Sequence, residues 1–162
     1  MRKKYEIKTE DQIRKMRVAG LLTQKALQAV KAAIRPGVTT LELDQIAEKT
    51  IRDGGGIPNF QLVPGYYHTI CASVNSEVVH GIPTNRVLEA GDLVSIDCGA
   101  EVDGWNGDSA FSMVVPGRQD AQTAERQKQS DVCEGSLWAG IAALAKAKRL
   151  NEVGIEIEKY IL

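Results

Sequence analysis

Apolar residues at Ile13, Met16, Leu22, Leu27 and Val30 recur at loosely helical spacing behind Thr9-Glu10-Asp11-Gln12, which has the form of a capping box. This predicts a helix that stops at Arg35-Pro36-Gly37, because proline cannot continue it and the residue before proline avoids helical geometry. A second box, Thr39-Thr40-Leu41-Glu42, opens a shorter helix with Leu43, Ile46, Ala47 and Ile51 on its apolar face, closed by Gly54-Gly55-Gly56. Residues Ile57 to Tyr67 are rich in proline, glycine and aromatics and predict an ordered loop at a pocket mouth. The period then changes to two. Strands are expected over Thr69–Asn75 and, after a turn at Ser76, over Val78–His80, where Gly81-Ile82-Pro83 forces a turn. Alternation resumes over Leu93–Ala100, Asp103-Gly104 supplies turn chemistry, and a second alternating run covers Asp108–Val115, together a hairpin. Pro116-Gly117 ends it. A long helix follows over Asp120–Lys146, apolar at Val132, Leu137, Ile141 and Leu144, and another runs from Arg149 to Leu162.

Shifting the chain by 110 residues aligns Leu27, Ala29, Ala32, Ala33, Glu42, Glu48, Lys49 and Ile51 with Leu137, Ala139, Ala142, Ala143, Glu152, Glu158, Lys159 and Ile161. A fold of two related halves would give this pattern: the opening helical pair recurs, and the sheet that followed it does not. With 162 residues, 43% hydrophobic and 25% charged, the chain is long enough for one modest core. A net charge of −1 leaves no electrostatic footprint for nucleic acid or an anionic membrane. Arg2, Lys3 and Lys4 read as solvated terminal charge. No apolar segment approaches the roughly 20 residues that span a bilayer, and the start lacks the apolar stretch of a secretory signal, so a cytoplasmic protein is expected. Cys71, Cys98 and Cys133 are odd in number and widely spaced, which predicts buried thiols rather than disulfides or a CxxC zinc site.

Candidate chemistry concentrates between Val78 and Asp108. With the hairpin turn centred near Val102-Asp103, Asp97 faces Asp108, and Val94, Ile96, Cys98, Phe111 and Met113 share the opposite face. Like charges side by side destabilise a sheet unless a cation or a shared proton compensates, which makes a divalent metal a candidate, although by spacing alone ordinary strand-end and turn aspartates are the commoner reading. His68 reads as exposed, and on its own His80 would more often be a surface histidine than a catalytic one.

Four segments together resemble type I methionine aminopeptidases: Thr69-Ile70-Cys71-Ala72-Ser73-Val74-Asn75, the VVHGIP block at Val78–Pro83, GDLVSID at Gly91–Asp97 and DGWNGD at Asp103–Asp108. The resemblance implies an α+β pita-bread fold, of which the chain would hold the first half of a pseudo-two-fold antiparallel sheet with its covering helices (1–117) and the start of a second half (118–162). It implies metal ligation by Asp97 and Asp108, contact of the non-ligand His80 with substrate near the scissile bond, and a methionine pocket lined by Tyr66 and Cys71. The cofactor would be divalent metal of the cobalt, manganese, iron or zinc type, two ions per complete site. The partners would be amino termini of nascent polypeptides and the ribosome, with no direct nucleic-acid or membrane contact and a monomeric complete enzyme.

The family's later histidine, in a glycine-rich GHGIG-like motif, and its two later glutamates have no counterpart here, so an amino-terminal portion, inactive by itself, is expected. Asn106 stands where many relatives have histidine, and Val63 where a second pocket tyrosine is frequent. Asn106 can hydrogen-bond but not titrate. Competing readings are a truncated, non-catalytic peptide- or protein-binding member, and a proline-specific aminopeptidase of the same fold. The HGIP block favours the methionine enzyme over the latter.

Overall fold

Thr9 and Thr39 start the first two helices as the sequence predicts. In the computed structural model, which describes residues 6–162 and so leaves Arg2, Lys3 and Lys4 outside the described residues, α1 spans Glu10–Ala33 and α2 spans Thr40–Asp53. Thr9 Oγ1 accepts the Gln12 N–H while Gln12 Oε1 accepts the Thr9 N–H, and Thr39 and Glu42 repeat the arrangement. Each box satisfies N–H groups that have no partner inside the helix. Thr39→Ala should cost about 1 kcal/mol of stability, read as a lower urea midpoint with an unchanged slope. The stripe on α1 differs from expectation at its start: Ile13 and Met16 are 55% and 38% exposed, and burial begins only at Ala19, where the helix reaches the sheet.

The sheet has four strands: β1 (Ile57–Pro58), β2 (Ile70–Val74), β3 (Leu93–Val102) and β4 (Trp105–Val114). β3 is its centre, paired antiparallel with β1 and β2 along one edge and β4 along the other. β1, followed by a single turn of 3-10 helix at Asn59–Leu62, was invisible to periodicity because two residues carry none and proline argues against a strand. The β3–β4 hairpin is as expected, with a different register. Its loop is Asp103-Gly104, with φ of 51° and 80°, so Val102 pairs with Trp105, Asp97 with Ala110 and Gly99 with Asp108. Two consecutive left-handed residues match the twist of the flanking strands, which is why Asp-Gly and not Val-Asp makes the turn. Asp97 and Asp108 are therefore diagonal rather than directly opposite. Since side chains alternate with period two, both still point to the same face.

The other face of β3 carries Val94, Ile96, Cys98 and Ala100, all fully buried, and packs with Leu22, Ala26, Leu27 and Val30 of α1, Leu43, Ala47 and Ile51 of α2, and Ile70, Ala72 and Val74 from β2. Helices on one face and polar chemistry on the other is the whole plan of this unit, which ends at Pro116. A second compact unit, Gly117–Leu162, holds α3 (Ala121–Leu144) and α4 (Leu150–Ile161), the first of them capped by Asp120 and Thr123. Its expected apolar stripe is exposed at Leu137, Ile141 and Leu144, by 56%, 47% and 58%, whereas Leu27, the counterpart of Leu137 by the 110-residue shift, is 7% exposed. In the first unit a sheet covers that face. Among the described residues of the second unit there is no strand to do so.

Candidate active site

The polar face of the sheet is set by β3 residues of odd number. Cys71 of β2 stands directly across from Asp97, Ser73 across from Ser95, and Asp108 of β4 lies diagonally beyond Asp97. Ser95 and Ser112 bridge β3 and β4 through their hydroxyls at 2.7 Å. Burial raises the Asp97 carboxyl above the ordinary carboxylate range, and the charge and contact of Asp108 raise it further, against the opposing effects of the Cys98 N–H and His80. Two adjacent carboxylates with an unfavourable charge balance make a hard, oxygen-rich half-site that a divalent cation would relieve. No cluster of three or more His, Cys, Asp or Glu suited to a metal occurs among the described residues. The donor set thus fits a metal through its first two oxygen ligands and does not enclose one.

His80 is exposed and lies in a loop, not at the end of a strand. Its φ of 58° takes the backbone out of β geometry, which is why the expected Val78–His80 strand does not form. The next residue pins the loop: the Gly81 N–H donates to Ser73 Oγ at 3.0 Å and its carbonyl accepts the Ala72 N–H at 2.8 Å. A Cβ on residue 81 would stand 2.3 Å from the Ala72 oxygen and 2.9 Å from Ser73 Cα. Gly81→Ala should therefore lift the loop off β2, costing about 1–3 kcal/mol by overpacking and shifting the His80 ring resonances in NMR spectra while those of Trp105 stay in place.

Tyr66 leaves the loop region and reaches β2. Its hydroxyl donates to the Ile70 carbonyl at 2.7 Å and lies 3.3 Å from Cys71 Sγ. Burial, together with the Cys71 contact, holds the Tyr66 phenol protonated far above its ordinary range. Burial likewise raises the Cys71 thiol, with Tyr66 opposing and Asp97 adding to the effect, and pushes Cys98 up to about 12. These are inert thiols rather than nucleophiles. Cys71 and Cys98 are buried as expected, and Cys133 is exposed.

Two further positions depart from expectation. His68 is half-buried, not exposed, because its Nδ1 meets Asp44 Oδ2 at 3.2 Å. Asp44, which the sequence reading passed over, is 4% exposed and also accepts the N–H groups of Thr69 and Ile70 on Oδ1, at 2.7 and 2.9 Å. The available signal was a carboxylate adjoining Leu43 on the apolar side of a helix. Asn106 is engaged structurally, its Oδ1 accepting from Asn59 Nδ2 at 3.3 Å, and Val63 is exposed. The fold thus gathers Asp97, Asp108, Cys71 and Tyr66 on one face, with His80 acting on Asp97 electrostatically from the adjoining loop.

Residues 14–162 match Metallopeptidase family M24. The chain is 49% identical over 144 residues to methionine aminopeptidase 1 of Mycobacterium tuberculosis (strain CDC 1551 / Oshkosh), covering 88% of this chain and 53% of that protein. It is 40% identical over 154 residues to methionine aminopeptidase 1 of Bacillus subtilis (strain 168), covering 95% and 60%. The crystal structure of methionine aminopeptidase from Rickettsia prowazekii superposes with a TM-score of 0.89 at 30% identity, over 97% of this chain and 62% of that one. The chain therefore spans about 53–60% of these curated relatives' length, and the fold is the pita-bread fold over that span.

Proposed function

The chain belongs to metallopeptidase family M24, and from that premise we propose that it is the amino-terminal part of a methionine aminopeptidase, which removes the initiator methionine from nascent polypeptides. The observation that carries this reading is the placement of Asp97 and Asp108 on one sheet face, beside the Tyr66–Cys71 pair and under the His80 loop. In this reading residues up to 117 form the first half of the catalytic domain and 118–162 begin the second. The exposed Leu137, Ile141 and Leu144 support it over a self-sufficient binding module, since a module would have to keep that apolar face in water.

Asp97 and Asp108 would hold divalent metal of the cobalt, manganese, iron or zinc type, two ions in the complete site. When bound, such metal supplies Lewis acidity toward the peptide carbonyl and toward water. The chain's own residues do the rest of the first half's work. The half-buried Tyr66 and the buried Cys71, both protonated, offer a soft, uncharged wall for a methionine side chain. His80, exposed on its pinned loop, is free to hydrogen-bond the substrate near the scissile bond. The reading carries with it a cytoplasmic location, nascent amino termini and the ribosome as partners, and a monomeric complete enzyme. Among the described residues no helix is long and apolar enough to cross a membrane.

The test is release of free methionine from a Met-Ala-Ser peptide by the protein purified from its native source, with Mn2+ or Co2+ added. Metal-dependent release, abolished by chelation, is expected. No release under those conditions contradicts the proposal. With two carboxylates leaving most of a cation's positions to water, the 162-residue chain alone should release none.

A further inference from the structure

Asp44 belongs to α2, outside every segment that carries the family resemblance and well before the hairpin in sequence. Its carboxylate is nevertheless fully used at the start of β2. Oδ1 takes the N–H groups of Thr69 and Ile70, and Oδ2 takes the His68 ring. A carboxylate only accepts, so the ring nitrogen facing it carries the proton and His68 is held as the Nδ1–H tautomer. The His68 ring in turn packs edge-on against Tyr66, with centroids 5.9 Å apart. The Tyr66 hydroxyl is tied to Ile70, whose N–H Asp44 also holds, and touches Cys71, the residue directly across from Asp97.

We infer that Asp44 is a positioning residue for the substrate wall: through His68 and through the first two residues at the β2 edge it fixes where Tyr66 and Cys71 stand relative to Asp97. The inference rests on the aminopeptidase reading only for what the wall is for. The placement itself follows from the geometry. A merely structural Asp44 would stabilise the whole unit without singling out this wall, and that difference is measurable.

The experiment uses the 162-residue chain with the exposed Cys133 replaced by serine, so that Cys71 and Cys98 are the remaining thiols. Alkylation by iodoacetamide is followed at each cysteine by peptide mapping, and the His68 tautomer by long-range 1H–15N correlation. Wild type should show a proton on Nδ1. Asp44→Asn keeps an oxygen for the two backbone N–H groups but turns an N–H toward His68, so the proton should move to Nε2. Asp44→Ala should raise the Cys71 rate at least tenfold and leave Cys98, at the centre of the core, within twofold. Cys71 and Cys98 rising together, or neither rising, would overturn the inference, since the first is general opening and the second means the wall does not depend on Asp44. If Asp44→Ala does not fold, the Asp44→Asn tautomer decides, and an unchanged Nδ1–H there overturns the dyad. Methionine release from a Met-Ala-Ser peptide is measured separately on the protein from its native source. Its absence there would defeat the aminopeptidase reading and leave the positioning result standing, and the converse holds equally.

Discussion

Asp97→Asn and Asp108→Asn are each expected to weaken Mn2+ binding at least ~10-fold, about 1.4 kcal/mol, and in the complete protein to lower kcat/KM by roughly 10³-fold, because metal contributes several kcal/mol of transition-state stabilisation. The same substitutions should have the opposite effect on metal-free stability. The folded-state pKa of Asp97 is raised by burial and by Asp108, so as pH rises from its unfolded value the unfolded chain loses this proton first. Stability from this group is then lost as pH climbs through the folded pKa, the reverse of a salt-bridged aspartate. Asp97→Asn removes that loss. After discounting for solvent screening of a half-exposed group, the gain is about 0.5 kcal/mol. Thermal melts with chelator should give a midpoint difference, variant minus wild type, that grows from pH 4 to pH 7, and added Mn2+ should reverse its sign. A difference independent of pH would mean that the two carboxylates do not interact.

Gly107→Ala should be strongly destabilising, at about 3 kcal/mol. Gly107 pairs with Ala100 in the hairpin, and a Cβ there would stand 2.6 Å from the carbonyl carbon of Ala19 and from the backbone of Gly20 in α1. Helix backbone cannot yield as a side chain can, so α1 must leave the sheet and strain the bond from the Ala100 N–H to Thr23 Oγ1. Asp108 is the next residue, and its placement should suffer too. Gly20→Ala, across the same contact, should go the other way. Nothing lies within 4 Å of its added methyl, and alanine gains up to ~1 kcal/mol over glycine inside a helix. Urea titrations of the two variants should move the midpoint in opposite directions. A stable Gly107→Ala chain would mean that α1 and β4 do not meet as described.

The elements legible in the sequence were those with local signals. Both capping boxes and the Asp103-Gly104 turn depend on a few adjacent residues, and each sits where those residues put it. The shared face of Asp97 and Asp108 survived an error in register, since alternation fixes the face while the turn alone fixes which residues stand opposite. What could not be read depended on contacts distant in sequence. His68 looked exposed because its partner, Asp44, lies 24 residues earlier in a different element. The strand ending at His80 failed because Gly81 is tied to Ala72 and Ser73, a constraint that alternation does not report. The apolar positions of α3 were read correctly as one side of a helix, and Leu137, Ile141 and Leu144 stay exposed. Periodicity identifies a face that wants covering and says nothing of whether the described chain covers it.

Paramagnetic broadening by Mn2+ in 1H–15N spectra of the 162-residue chain tests the central claim most directly. Broadening should centre on Asp97 and Asp108, reach Cys71 and the His80 loop, and vanish in Asp97→Asn. Uniform broadening, or broadening centred on other acidic residues and unchanged by Asp97→Asn, would contradict the assignment of this sheet face as the metal site.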